Sequence, residues 1–504
     1  MEESLESPDI ERKLHNISPF FILWENIKKL IFPALIALLG TRSSSWEFYA
    51  LGGAALVSII SIIQYRFYRY WLEDDQIRVK EGIIFRNLRQ VKYDKIQNLN
   101  LVQGPLHRIF GVVKVQLESA SGGKPEAIIN VISQDAVKEL QHILQQYDAG
   151  NTTMTSDASE TIKQDSILKL NFAEIIRYGL ISNKGLIAVA VFFGFISQFM
   201  DDDNPRNVRA AIRTGVNYVS DGVQSLVPEA SVMGTVLYSL AFILMALIIL
   251  WILSIGMAWF KFHGFDLIKN NGKLAASMGL LTRLQATIPT KRIQTITVHN
   301  SWLHQMFDRV GVTIETAGGV NSEQQGVTMK QVAPVMPVAE KAEFLQQIQS
   351  DQEWSNLQWQ PVEARAWKRV FKASSLIWTL VLLTLLTHSV WTYAACLVLA
   401  MVWSFFYAKA YIKNTGYFIT NKMAAFKSGV VFRKETYVRL PKVQTVRIKE
   451  SLFDRRHKMA KLELDTAGAT VGAHHVEIPY INYETAEKLY QQVSTNIKNS
   501  EFEW

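Results

Sequence analysis

Cysteine is nearly absent. Cys396 is the single thiol in 504 residues and lies inside an apolar run, so a disulfide within the chain and a thiolate metal cluster are both excluded. Charged residues make up 19% of the chain, below the ~25% usual for soluble domains, and they are unevenly spread. The chain lacks a phosphate-cradling glycine loop, an HExxH pair and a serine-nucleophile elbow, the motif-borne signs of nucleotide hydrolysis, zinc proteolysis and acyl transfer. His474 and His475 are adjacent, so on a strand their side chains diverge, and no further ligands are spaced to join them. No catalytic residue, metal site or cofactor is expected. Residues 2–11 are acidic and polar rather than basic and then apolar, so no cleaved signal peptide is expected either.

What the chain does have is long apolar blocks. Residues 230–260 contain no charge, and that length exceeds the roughly 20 residues a helix needs to cross ~30 Å of hydrocarbon, which commits the chain to a bilayer. Further uncharged stretches run over 30–41, 48–65, 185–200 and 373–408. The last is too long for one crossing, and a turn near Thr387, His388 and Ser389 divides it, giving six spans in three pairs. Basic residues flank every pair: Lys28 and Lys29, Arg66 and Arg69, Lys184, Lys261, Arg369 and Lys372, Lys409 and Lys413. By the positive-inside tendency, both termini and the polar regions between pairs face the cytoplasm of a cell membrane. Between the third and fourth spans, Asn204 and Pro205 open a run in which Val208, Ile212, Val216, Val219, Val223 and Leu226 share one helical face. Arg206, Arg209 and Arg213 occupy another, which predicts an amphipathic helix on the outer side.

The polar regions repeat one pattern three times. The copies read GIIFR from Gly82, GLLTR from Gly279 and GVVFR from Gly429. Fifteen residues after each Gly stands a Gln, in KIQ, RIQ and KVQ: Gln97, Gln294 and Gln444. Another twenty-two on come Ser119, Thr316 and Thr466, each followed by Ala. Each copy also holds a Leu in a Pro- or Ser-led turn, Leu106, Leu303 and Leu452, where a chain reversal is expected. Alternation at Val113, Val115 and Leu117 marks half-buried strands. Each copy closes on a helical stripe: Val137, Leu140 and Leu144; Ala342, Leu345 and Ile348; Ala486, Leu489 and Val493. The unit is therefore several antiparallel strands followed by one covering helix.

This pattern, each copy behind a pair of apolar segments, resembles the bacterial pleckstrin-homology-like (PH-like) family of YdbS/YdbT-type membrane proteins. The three-unit layout is similar to the YdbT type, whereas the YdbS type holds one unit. The phrase SNKG at Ser182–Gly185 is similar as well. The resemblance implies a bent seven-stranded sheet capped by a C-terminal helix in each unit, and a single-unit YdbS-like partner protein. The expected fold class is an α+β membrane protein with three transmembrane helical hairpins, each followed by a PH-like bent antiparallel β-sheet domain with a C-terminal helix. The expected divisions are an N-terminal segment and hairpin over 1–64, PH-like domains over 65–147, 261–350 and 409–497, and hairpins over 167–260 and 373–408. Linkers over 148–166 and 351–372 and a tail over 498–504 complete the chain.

A formal net charge of +8 suits anionic lipid or nucleic acid. Domains tethered beside lipid and lacking base-stacking motifs favour lipid, and no nucleic acid partner is expected. The repeated glycines, glutamines and Ser/Thr positions read as fold-building residues. The repeated basic residues Arg86, Arg283 and Arg433, with Lys95, Arg292 and Lys442, are candidates for contact with an anionic headgroup. Arg455, Arg456 and Lys458 beside Leu452 and Phe453 join them, in a segment from Arg433 to Lys461 that holds ten Lys or Arg against three Asp or Glu. The leading functional expectation is a membrane-associated binding or scaffolding protein. A transporter or channel component is second, because the spans carry almost no ionisable residue apart from His388 at a turn, and a lipid-modifying enzyme is third.

Overall fold

The computed structural model describes residues 12–13, 67–73, 75–82, 86–119, 127–150, 166–182, 232–270, 272–316, 330–350, 357–383, 390–466 and 475–499, with scattered single positions besides. The first apolar pair, most of the third span and the 204–226 amphipathic run lie outside the described residues.

Three units follow one another. The first comprises β1 (Arg12–Lys13), β2 (Arg69–Leu72), β3 (Gln76–Glu81), β4 (Asn87–Lys92), β5 (Ile96–Gln103), a short helix α1 (Pro105–Ile109), β6 (Val112–Ser119), β7 (Ala127–Ser133) and the closing helix α2 (Gln134–Gly150). The second begins with β8 (Ser166–Lys169), then α3 (Phe172–Ile181) and the long apolar α4 (Val232–Phe262). It continues through β9 (Asp266–Asn270), β10 (Lys273–Met278), β11 (Arg283–Pro289), β12 (Ile293–Ser301), α5 (Trp302–Met306), β13 (Arg309–Thr316), β14 (Gln331–Pro337) and α6 (Lys341–Ile348). The third holds β15 (Gln360–Pro361), α7 (Trp367–Leu382), α8 (Val390–Asn414), β16 (Gly416–Ile419), β17 (Met423–Ser428), β18 (Phe432–Arg439), β19 (Val443–Lys449), α9 (Leu452–His457), β20 (Met459–Thr466), β21 (His475–Asn482) and α10 (Tyr483–Asn499).

Strand alternation is direct in the second unit, where β10 buries Leu274, Ala276 and Met278 and β11 buries Leu284, Ala286 and Ile288. These pack with Val298, Val312 and Ile314 from the other half of the unit and with Phe344, Leu345 and Ile348 of α6. The first and third units have corresponding cores. Each unit thus has a core closed by its C-terminal helix, as the helical stripes predict, and that of the second unit continues into Phe418, Met423, Ala425 and Tyr437 of the third.

The sheets, however, do not respect the units. The resemblance implies seven strands bent into one sheet per unit. The hydrogen-bonded order is instead β1-β2-β3-β4, then β7-β6-β5-β11-β10-β9-β8, then β14-β13-β12-β18-β17-β16-β15, then β19-β20-β21. Each unit is divided into four strands and three, and the fifth strand of one unit pairs with the fourth strand of the next. The two junctions share a register: Gln103 faces Arg283 in the first, and the repeat-equivalent Asn300 faces Arg433 in the second.

Two features depart from the boundaries drawn on the sequence. β1 pairs with β2, β8 with β9 and β15 with β16, so the first strand of each unit precedes the apolar segments and the second follows them. The segment read as a polar linker after α6 is also packed in part. Trp354 stacks edge-on to Tyr437 at 5.1 Å, and Trp359 does the same to Phe418 at 5.1 Å, binding the second unit to the third. Among the described residues, two helices are long and apolar enough to cross a membrane, over Leu244–Phe262 and Val390–Asn414. α7 lies against α8, with Ser374 Oγ and Ser404 Oγ 2.9 Å apart.

Candidate functional site

Aromatic and basic side chains mark where the apolar helices end. Near the end of α4, Trp259 meets Phe172 of α3 at 6.4 Å, and Lys261 Nζ lies 4.9 Å over Phe262. In the third unit Lys409 lies 4.4 Å over Phe405 and 5.7 Å over Trp367. Trp and Lys at span ends are interfacial anchors, with an apolar body in the acyl boundary and a polar tip in water.

Repeated turns are fastened to these ends. Gly279 N–H donates to His263 O at 2.9 Å and Leu280 N–H to Phe260 O at 3.0 Å, so the Gly-led turn of the second unit sits at the base of α4. Gly82, Gly279 and Gly429 all have φ between 97° and 109°, and a Cβ on Gly279 or Gly429 would stand 2.0 or 2.1 Å from a carbonyl oxygen three residues on. That conformation is open to glycine alone, which accounts for the repeat.

The short helices between the fifth and sixth strands reach the same level. In α9, Ser451 and Asp454 form a capping box, and the buried Asp454 also pairs with Arg369 in the first turn of α7, whose Nη2 donates to Ser451 Oγ at 3.3 Å. This fixes α9 at the foot of α7, which packs against the apolar α8, and leaves Leu452 and Phe453 exposed at 76% and 66%. In α5 the cap is Ser301, whose N–H and hydroxyl meet His304 Nδ1 at 3.3 and 2.7 Å, while Trp302 and Met306 stand exposed. Burial, with His299 nearby, pulls the His304 pKa down to about 4, so the ring is neutral and Nδ1 can accept. α1 starts at Pro105 and exposes Ile109 and Phe110.

These pieces touch across the junctions. Arg108 Nη1 of α1 donates to Leu280 O in the turn of the second unit at 3.0 Å, and Trp302 N–H of α5 donates to Val431 O in the turn of the third at 2.6 Å. Leu281 and Phe432 are exposed beside them. The result is a rim of short helices and turns, apolar at the tips and basic behind them, level with the ends of the apolar helices.

The residues singled out on the sequence divide between rim and framework. Arg86, Arg283 and Arg433 are exposed at the ends of the Gly-led turns, and Arg455, Arg456 and Lys458 are exposed on and just after α9. Lys95, Arg292 and Lys442 end the turns joining the fourth and fifth strands. Lys95 is exposed; Arg292 is half-buried and its pKa is lowered to about 10 by desolvation; Lys442 is 1% exposed, which takes it away from any headgroup. Gln294 and Gln444 are the bulged residues of β12 and β19, and Gln97 holds the same place in β5, since register shifts there in all three strands. Thr316 and Thr466 are buried opposite those bulges, facing Ile293 and Val443. The side chains of Gln97 and Ser119 lie outside the described residues. The exposed apolar tips of α1 and α5 were not picked out from the sequence; an apolar residue inside each Pro- or Ser-led turn was the available signal. Among the described residues no group of His, Cys, Asp and Glu is placed to hold a metal.

Apolar helices joined to three repeated sheet units, each closed by a C-terminal helix, define a membrane protein with repeated PH-like units. A family model described as bacterial PH domain matches residues 26–148, 226–352 and 372–497, and the chain belongs to that family. It is 27% identical over 318 residues to the UPF0699 transmembrane protein YdbT of Bacillus subtilis (strain 168), an alignment covering 60% of this chain and 61% of that one. No solved structure matches.

Proposed function

We propose that this protein is a membrane-anchored binding scaffold, carried on three apolar hairpins with its PH-like units and both termini in the cytoplasm, and that the rim of the units rests on the inner leaflet. The observation that carries the reading is α9: an ion pair to the foot of α7 braces it with Leu452 and Phe453 exposed beside the exposed Arg455, Arg456 and Lys458, a combination suited to the acyl boundary and its headgroups. An exposed apolar pair held rigidly suits insertion at an interface, and basic residues beside an anionic leaflet add roughly 1 kcal/mol each. Because the units share sheets, contact at one unit orients the others.

The test is a depth measurement on the full chain with Cys396→Ser and a single labelled cysteine at Phe453, in vesicles with and without anionic lipid. Lipid-borne quenchers should reach the label, and Glu at 455, 456 and 458 should weaken that quenching and abolish its preference for anionic lipid. Quenching from water equal to that at the exposed residue Lys138 of α2 would refute the contact.

A further inference from the structure

The two internal junctions use the same pair of edges, and the chain ends with one of each unused. Among the described residues, β4 of the first unit and β19 of the third are outer strands of their sheets. The difference between a used and an unused edge is visible at equivalent residues. Gln294 and Thr295 of β12 are 3% and 2% exposed where the third unit docks, whereas Gln444 and Thr445 of β19 are exposed. An open edge offers alternate N–H and C=O groups to a further strand.

We infer that a second copy of this chain docks there, its β4 pairing antiparallel with β19 in the register of the internal junctions. In that register Gln103 and Asn300 face the repeated arginines Arg283 and Arg433. The equivalent position after β19 is Glu450, which would face Arg86 of the next chain. On the same face Ile448 meets Leu88, which is 55% exposed and has no core to serve within its own unit. Both contacts are complementary, one in charge and one in apolar character. The opposite face sets Arg447 against Arg89, where the internal junction has Thr297 against Thr436. Like charges there weaken the contact between copies relative to the junctions within a chain, making it reversible where those are permanent. Orientation is satisfied as well, because the same junction within the chain keeps the rims of successive units linked.

Edge pairing between chains does not depend on lipid contact at the rim, so it can be tested separately. Full-length chains with Cys396→Ser, one population carrying Ile448→Cys and a differently tagged one carrying Leu88→Cys, are mixed in phosphatidylethanolamine–phosphatidylglycerol vesicles and oxidised. A mixed disulfide dimer is expected, with the two-residue-offset pair Val446→Cys and Leu88→Cys trapped far less. Arg447→Thr should raise trapping by about fivefold, Glu450→Arg should lower it similarly, and Arg86→Glu in the other chain should restore it. All these positions are exposed or half-buried, and circular dichroism on each variant verifies the fold. Equal trapping in and out of register, failure of the charge swap to restore it, or a chain that stays monomeric in vesicles would each overturn the inference.

Discussion

At the scale of single residues, the repeated glycine is the least replaceable. Gly429 has φ 107°, and a Cβ would stand 2.1 Å from Phe432 O, so Gly429→Ala forces the turn open at a cost of about 1–3 kcal/mol or more. A lowered thermal midpoint of the purified chain would register it, and an unchanged one would show that the turn can relax. His304 makes a second residue-scale prediction. Its folded pKa lies near 4 and its ordinary value near 6.5, so the unfolded chain takes up the proton first as pH falls. Stability is therefore unaffected by this group above about pH 6.5 and declines through the window down to about 4. Unfolding midpoints measured at pH 7.5 and 5 should differ, and His304→Asn should reduce the difference. Neither residue's role was legible in the sequence beyond the glycine repeat itself: the spacing of Gly82, Gly279 and Gly429 announced a backbone need, but nothing local told that His304 would close a cap.

At the scale of elements, α3 and α4 approach at Gly179, where a Cβ would come within 2.6 Å of the Ile255 backbone, and Ser254 Oγ donates to Gly179 O at 2.7 Å. Small residues at such a crossing allow close packing where apolar burial gives no drive between helices. Gly179→Leu should separate the pair, read as loss of a disulfide engineered between positions 182 and 254, whose hydroxyls are 3.2 Å apart. The junction of the second and third units turns on Tyr437, 2% exposed against Trp354 and Trp359. Tyr437→Ala removes a large buried ring, at about 3–5 kcal/mol by analogy with Phe truncation, and proteolysis in the 351–359 segment should accelerate. Strand and helix types were readable from alternation at residues such as Val113 to Leu117 and from the stripe Ala486, Leu489, Val493. Which strands pair across units was not, because a fifth strand that meets a neighbour and one that meets water carry the same Gln-led bulge. β12 and β19 illustrate this, beginning IQT and VQT.

At the scale of the whole molecule, the shared sheets make the units interdependent. A chain ending after Ser350 loses the partner strand of β12 and uncovers Gln294, Thr295 and Ile296, all buried in the full protein. It should self-associate in detergent more strongly than the full chain under the same conditions, as light scattering would show. Reporter fusions following Asp351 and Trp504 should both give cytoplasmic signals under the proposed topology.

The placement of the apolar helices between the first and second strands of each unit orders events during synthesis. β1 leaves the ribosome long before β2, β8 before β9, and β15 before β16, with apolar segments in between. Under the proposed topology, those first two strands cannot pair until the intervening segments have entered the bilayer and returned the chain to the same side. The fifth strand of that unit then waits in turn for the fourth strand of the next. Under that topology a failed insertion in the second or third unit leaves two open strand edges rather than one, in its own unit and in the unit before it. With the units on the cytoplasmic side, as proposed, an error in the membrane becomes a lesion in the cytosol, where proteases that survey exposed strands can detect it.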